Sequence, residues 1–268
     1  MKNTFIFWGI IVLVAVIGFT MTACGGGGGG DDGGGGNAFL GAKLEISGEQ
    51  VYTEEYGEDF FSTNYKPYTG SASFSTYIEG SGAITGGKLT YTIGTPSPGS
   101  LYTISDVVDD FSVYWDNVTI SDTTVKVYAL SLYTTDYDNV YKANTTTTVK
   151  TSGNTMTMSG TDETVGYYYV DKDVTISGKG KTTTEEDENF KVTFKTNNFN
   201  LSLKQGWNAV YEKTTGSGTM TATNETYNET MSVSLSNPNL KWVIDDYSSS
   251  WSVLGPSKAF KRLQSIGK

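Results

Sequence analysis

The 268-residue chain carries 19 Lys+Arg against 29 Asp+Glu, no His and one Cys. Without His there is no Ser-His-Asp or Cys-His catalysis, and one Cys leaves neither an intramolecular disulfide nor a thiolate cluster for a metal. A formal charge of -10 argues against a reader of phosphate backbones, so no nucleic-acid partner is expected.

The chain opens with Lys2 and an apolar run of 15 residues, Phe5 to Phe19. A membrane-spanning helix needs about 20 apolar residues, so this run has the length of a signal-peptide core. It ends in Met21-Thr22-Ala23-Cys24, small residues placed just before the chain's single cysteine. The segment resembles a bacterial lipoprotein signal, with Met21 where Leu is usual. The resemblance implies that residues 1–23 are a signal peptide, cleaved between Ala23 and Cys24, and that the Cys24 thiol carries diacylglycerol with palmitate-type acyl chains. Residues 24–37 then form the lipidated Cys and a tether, in which Gly25 to Gly36 hold only Asp31 and Asp32 besides glycine. Those residues span on the order of 19 Å root-mean-square. Several acyl chains make such an anchoring stable. The expected location is the outer membrane of a cell envelope, with the leaflet open.

From Ala38 the chain alternates with period two. Phe111, Val113 and Trp115 form one such set, followed by Val125, Val127 and Ala129, by Met156 and Met158, and by Val174 and Ile176. Phe190 to Phe194, Phe199 to Leu203, Met231 to Leu235 and Leu240 to Ile244 complete the series. One apolar face per strand predicts half-buried antiparallel strands, and the Thr, Val, Tyr and Phe content agrees. Turns are expected at Gly86-Gly87, Pro96 to Gly99, Ser152 to Asn154, Lys204 to Gly206, Thr215 to Gly218 and Asn237 to Asn239. The fold class is therefore all-β over residues 38–255: an antiparallel β-sandwich, with two packed subdomains or a flattened barrel as alternatives. A sub-boundary is placed near residue 136. Residues 256–268 are a tail in which Ser257 caps a short helical turn.

Candidate chemistry is sparse. Asp106, Asp109 and Asp110 are read as a turn, and neighbouring carboxylates on a strand would face opposite ways, which disfavours a paired catalytic acid and base. Asp136 with Asp138, and Asp171 with Asp173, are calcium candidates by spacing, although neither continues as an EF-hand loop. Glu185 to Glu188 reads as a hairpin tip whose charges discourage edge pairing. Trp115 and Trp242 read as core. Trp207 after a Gly turn, Trp251, and Tyr168 within Tyr167-Tyr168-Tyr169 are candidate exposed rings for ligand binding. No cofactor is expected.

Three segments carry a further resemblance. They are Gly82 to Leu89 followed by Thr95-Pro96, Tyr169 to Gly178, and Leu201 to Asn208 with the later Leu240-Lys241-Trp242. They are similar to segments of uncharacterised spirochaete-type surface lipoproteins, which implies a surface β-domain and no particular activity. In the Lys204-Gln205-Gly206 turn, Gly206 is expected at positive φ with Trp207 stapling a hairpin. The leading expectation is a lipid-anchored envelope protein that works by binding or structural interaction, with a protein or glycan partner and without catalysis. The alternatives are a glycan-binding or glycan-cleaving protein, and a lipocalin-like carrier closed by the strands from Phe190 to Ile244.

Overall fold

A computed structural model describes residues 37–56, 63–75, 78–111, 114–136 and 138–245. Ala23, Cys24, the tether, Trp251 and the tail with its helical turn lie outside them. In chain order the elements begin with β1 (Phe39–Gly41), β2 (Leu44–Tyr56), β3 (Thr63–Pro67), β4 (Ala72–Ser73), β5 (Ser81–Thr85), β6 (Lys88–Ile93) and β7 (Tyr102–Thr103). Helix α1 (Ile104–Phe111) precedes β8 (Trp115–Ile120), β9 (Lys126–Ala129), β10 (Leu132–Tyr133) and the long hairpin β11 (Asn139–Ser152) and β12 (Thr155–Val170). The remainder is β13 (Val174–Gly180), β14 (Thr182–Asp187), β15 (Phe190–Thr196), β16 (Phe199–Leu203), β17 (Gly206–Met220), β18 (Glu225–Leu235) and β19 (Lys241–Asp245).

Sixteen strands join one sheet, whose main path runs β14-β15-β18-β17-β12-β11-β19-β2-β6-β5-β4; β16-β13-β8 form a second, three-stranded sheet. The all-β, sandwich-like reading holds, with one amendment. The large sheet is mixed, because β15 pairs with β18, and β19 with β2, in parallel. Parallel neighbours need a crossover connection, and the chain between β15 and β18 supplies one by way of β16 and β17. The path ends at β14 and β4, so the sheet stays open. This removes the flattened barrel, and with it the lipocalin-like enclosure by Phe190 to Ile244.

The proximal halves of β12 and β17 are buried on both faces, which makes them the middle layer. On one side Tyr168, Val170 and Val210 pack with Trp115, Ile176, Leu201 and Leu203 of the small sheet and with Ile104 and Val108 of α1. On the other, Tyr167, Tyr169, Trp207 and Ala209 meet Leu44, Ile46, Leu89, Tyr91 and Ile93 from the far end of the same large sheet. Both clusters take residues from both sides of position 136. Period two thus appears twice on these strands, with an apolar residue on each face, and reads as a continuous buried run.

Three segments depart from the sequence expectation. Residues 104–111 form a helix, so Phe111 opens no strand and Asp106, Asp109 and Asp110 are helical rather than in a turn. Ile104, Val107, Val108 and Phe111 recur at helical spacing, and Asp106 in the first turn suits the positive end of the helix dipole. The run Thr215 to Gly218 lies inside β17, not at a turn. Its glycines make room for the Tyr227 ring of β18: a Cβ on Gly216 would come 2.6 Å from the Tyr227 Oη, and one on Gly218 2.5 Å from Cδ2. Gly206 does take a positive φ, 113°, and a Cβ there would stand 2.7 Å from the Gly41 carbonyl oxygen. Its turn, however, carries the chain from the small sheet into the large one, so Trp207 staples no hairpin.

Candidate binding surface

Two of the three candidate surface rings, Trp207 and Tyr168, are not on the surface. Trp207 is 0% exposed and Tyr168 1%, and Tyr167 and Tyr169 are buried beside them. The Trp207 indole N–H donates to the Gly94 carbonyl at 2.8 Å, and its ring meets Tyr128 and Tyr169 edge-on. The reason is topological: these residues occupy the stretch of β12 and β17 that has a layer on each side. Trp115 and Trp242 are core, as read.

Three of the four calcium candidates, Asp138, Asp171 and Asp173, make side-chain hydrogen bonds within the protein. Asp173 accepts from the Gln205 amide at 2.8 Å and from Lys204 Nζ at 3.0 Å, contacts that hold its carboxyl below the usual range. Asp171 Oδ1 accepts from the Lys126 amide at 2.8 Å. Asp138 lies against Thr134, whose Oγ1 accepts from the Asp138 amide at 3.0 Å, and Asp136 is exposed. Among the described residues no three His, Cys, Asp or Glu side chains come together as a metal site. Glu185, Glu186 and Asp187 stand exposed on β14, the edge strand, as the charge argument expects.

What the fold assembles instead is a hydroxyl-lined sheet face. Beyond the two-sided core, β11, β12, β17, β18, β15 and β14 continue outward with their registers in step. One cross-strand row reads Thr148, Ser159, Ser217, Asn228, Thr193 and Thr184. The next reads Thr146, Thr161, Thr215, Thr230, Lys195 and Thr182. A third, Lys150, Thr157, Thr219, Thr226, Lys191 and Glu186, brings charge at both ends. Neighbours within a row are about 4.8 Å apart and rows are about 6.8 Å apart, as strand geometry dictates. Thr146, Thr148, Ser159, Thr215, Ser217 and Asn228 are exposed. The Thr157 and Thr215 hydroxyls lie 3.4 Å from the Lys150 and Thr230 carbonyls, the long limit of a hydrogen bond, and keep lone pairs for solvent or a partner.

A polar network closes the proximal end of this face. Glu163 accepts from the Tyr211 hydroxyl and from Asn144 Nδ2 at 3.0 Å, with Lys213 Nζ at 3.7 Å. Burial opposes its charge, but these donors outweigh it and hold the carboxyl below its ordinary range, while burial and the adjacent carboxylate push the Tyr211 phenol up. Lys241 Nζ sits 4.7 Å over the Tyr65 ring, and the Tyr65 hydroxyl accepts from the Thr145 amide at 2.6 Å. Alternating Thr and Ser are visible in the chain, but the rows exist only through cross-strand register, and reading Thr215 to Gly218 as a turn hides the central strand.

The chain matches no protein-family model, no curated protein and no solved structure. No helix among the described residues is long and apolar enough to cross a membrane, which says nothing of strands. Fold and surface together define an all-β, sandwich-like protein with a hydroxyl-bearing sheet face.

Proposed function

We propose that the chain is a lipid-anchored cell-envelope protein, held through Cys24, whose β-domain binds a partner through the hydroxyl face and performs no catalysis. The observation that carries this reading is the in-register Thr/Ser lattice across six strands, a surface of donors and acceptors on a rigid support. A protein partner fits it better than a stacked sugar ring, because Trp207 and Tyr168 are withdrawn into the core. The Gly-rich composition of Gly25 to Gly36, that of a tether, supports the reading.

Two experiments test it. Cys24→Ala is expected to abolish labelling by a radioactive fatty acid and to release the chain into the soluble fraction; a variant that stays membrane-bound and labelled sinks the anchor. For the face, a photo-reactive phenylalanine analogue is placed at Ser217, or as a control at the exposed Asp116 of the small sheet. Irradiation of intact cells is expected to give a discrete higher-mass adduct from position 217 and none from 116. Equal adducts from both, or none from 217, would reject the hydroxyl face as the binding surface.

A further inference from the structure

The methionines of the β-domain are unevenly placed. Met231 belongs to a large core cluster, whereas Met156, Met158 and Met220 gather on the distal sheet, on the face opposite the hydroxyl rows. Met156 and Met158 are two residues apart on β12 and so share that face, and Met220 of β17 stands directly opposite Met156. Met158 is opposite Gly218, over which the Tyr227 ring lies, so the three thioethers border the edge of that ring. Directly opposed Cβ atoms are about 5 Å apart and diagonal ones about 7 Å, distances that unbranched side chains with three rotatable bonds can close. With Gly218, Glu225 and Tyr227, the three methionines line a small depression open to solvent. Met158 and Tyr227 are its buried floor; Met156 and Met220 are half-buried.

Donor chemistry identifies the ligand. The chain has no His and its single Cys is the proposed lipid attachment point, so thioethers are the soft donors of the β-domain. Thioethers select Cu(I) over hard or borderline divalent ions. Glu225, paired with Met220 across the strands, adds a negative charge beside a univalent cation. We propose that Met156, Met158 and Met220 form a three-thioether site for a soft univalent cation, Cu(I) or its redox-inert analogue Ag(I).

The test uses the full chain in detergent, labelled with ¹³C at the methionine methyls and titrated anaerobically with Ag(I) and then with chelator-buffered Cu(I). Uptake of one equivalent is expected, with the methyl resonances of Met156, Met158 and Met220 shifting while Met231 stays in place. Zn(II) and Ca(II) should move none of them. The double variant Met156→Leu/Met220→Leu should lose the bound equivalent while keeping its thermal unfolding transition. Should that variant fail to fold, Met220→Leu alone, at a half-buried position, serves the same comparison. No uptake by the unaltered chain, equal shifts of all methyls, or full uptake by the Leu variants would overturn the site.

Discussion

Trp207→Ala is expected to destabilise the β-domain by about 4 kcal/mol, the range found when a buried aromatic is truncated to alanine. The side chain is fully buried between the two ends of the large sheet, and its loss leaves a cavity bordered by Tyr128 and Tyr169. It also leaves the Gly94 carbonyl, which accepts the indole N–H at 2.8 Å, without that donor. Trp207→Phe separates the two contributions. It keeps much of the volume, so its cost should fall to about 1–3 kcal/mol, from the lost indole hydrogen bond and the smaller ring. Chemical unfolding of both variants, made on the Cys24→Ala background, reads the difference directly. An alanine variant within about 1 kcal/mol of its parent would contradict the burial.

Stability is expected to fall as pH rises from about 4.5 to about 8, and Glu212 is the cause. This carboxyl is buried on β17, its Oε2 lacks a hydrogen-bond partner, and burial followed by the nearby Asp162 charge pushes it from 4.5 up to about 8. Between those values the folded chain keeps the proton and the unfolded chain releases it. The folded state therefore binds more protons, and the contribution is fully present below the unfolded value and lost as pH passes through the folded one. The total change is on the order of 3–5 kcal/mol. Glu212→Gln mimics the protonated form, so it should flatten this slope and be the more stable chain at pH 8. With no His in the sequence, the ordinary titrations of other side chains fall largely outside the upper part of this window. A Gln variant with an unchanged slope would assign the pH dependence elsewhere.

Legibility differed from residue to residue for physical reasons. Strands such as β13 and β16, with a single apolar face, are plain in the chain because their period is local; Val174, Ile176, Leu201 and Leu203 are all buried. Helix α1 is masked because Phe111, Val113 and Trp115 also satisfy a period of two, and local pattern cannot choose between two periods over so few residues. Gly216 and Gly218 carry the composition of a turn, yet the Tyr227 ring occupies the space above them, a fact about a neighbouring strand. Trp207 reads as exposed because it follows a glycine turn, and its burial comes from residues 44–93, far away in sequence.

The sequence by itself determined that the chain from residue 38 is all-β and lacks the residues for His-based chemistry, because alternation and composition act within a few neighbouring positions. Only the tertiary structure decided which faces are dry. That choice depends on how one open sheet returns over itself and on the register of distant strands. It withdrew Trp207 and Tyr168 from the surface, set the threonines in rows, and brought Met220 beside Met156 and Met158.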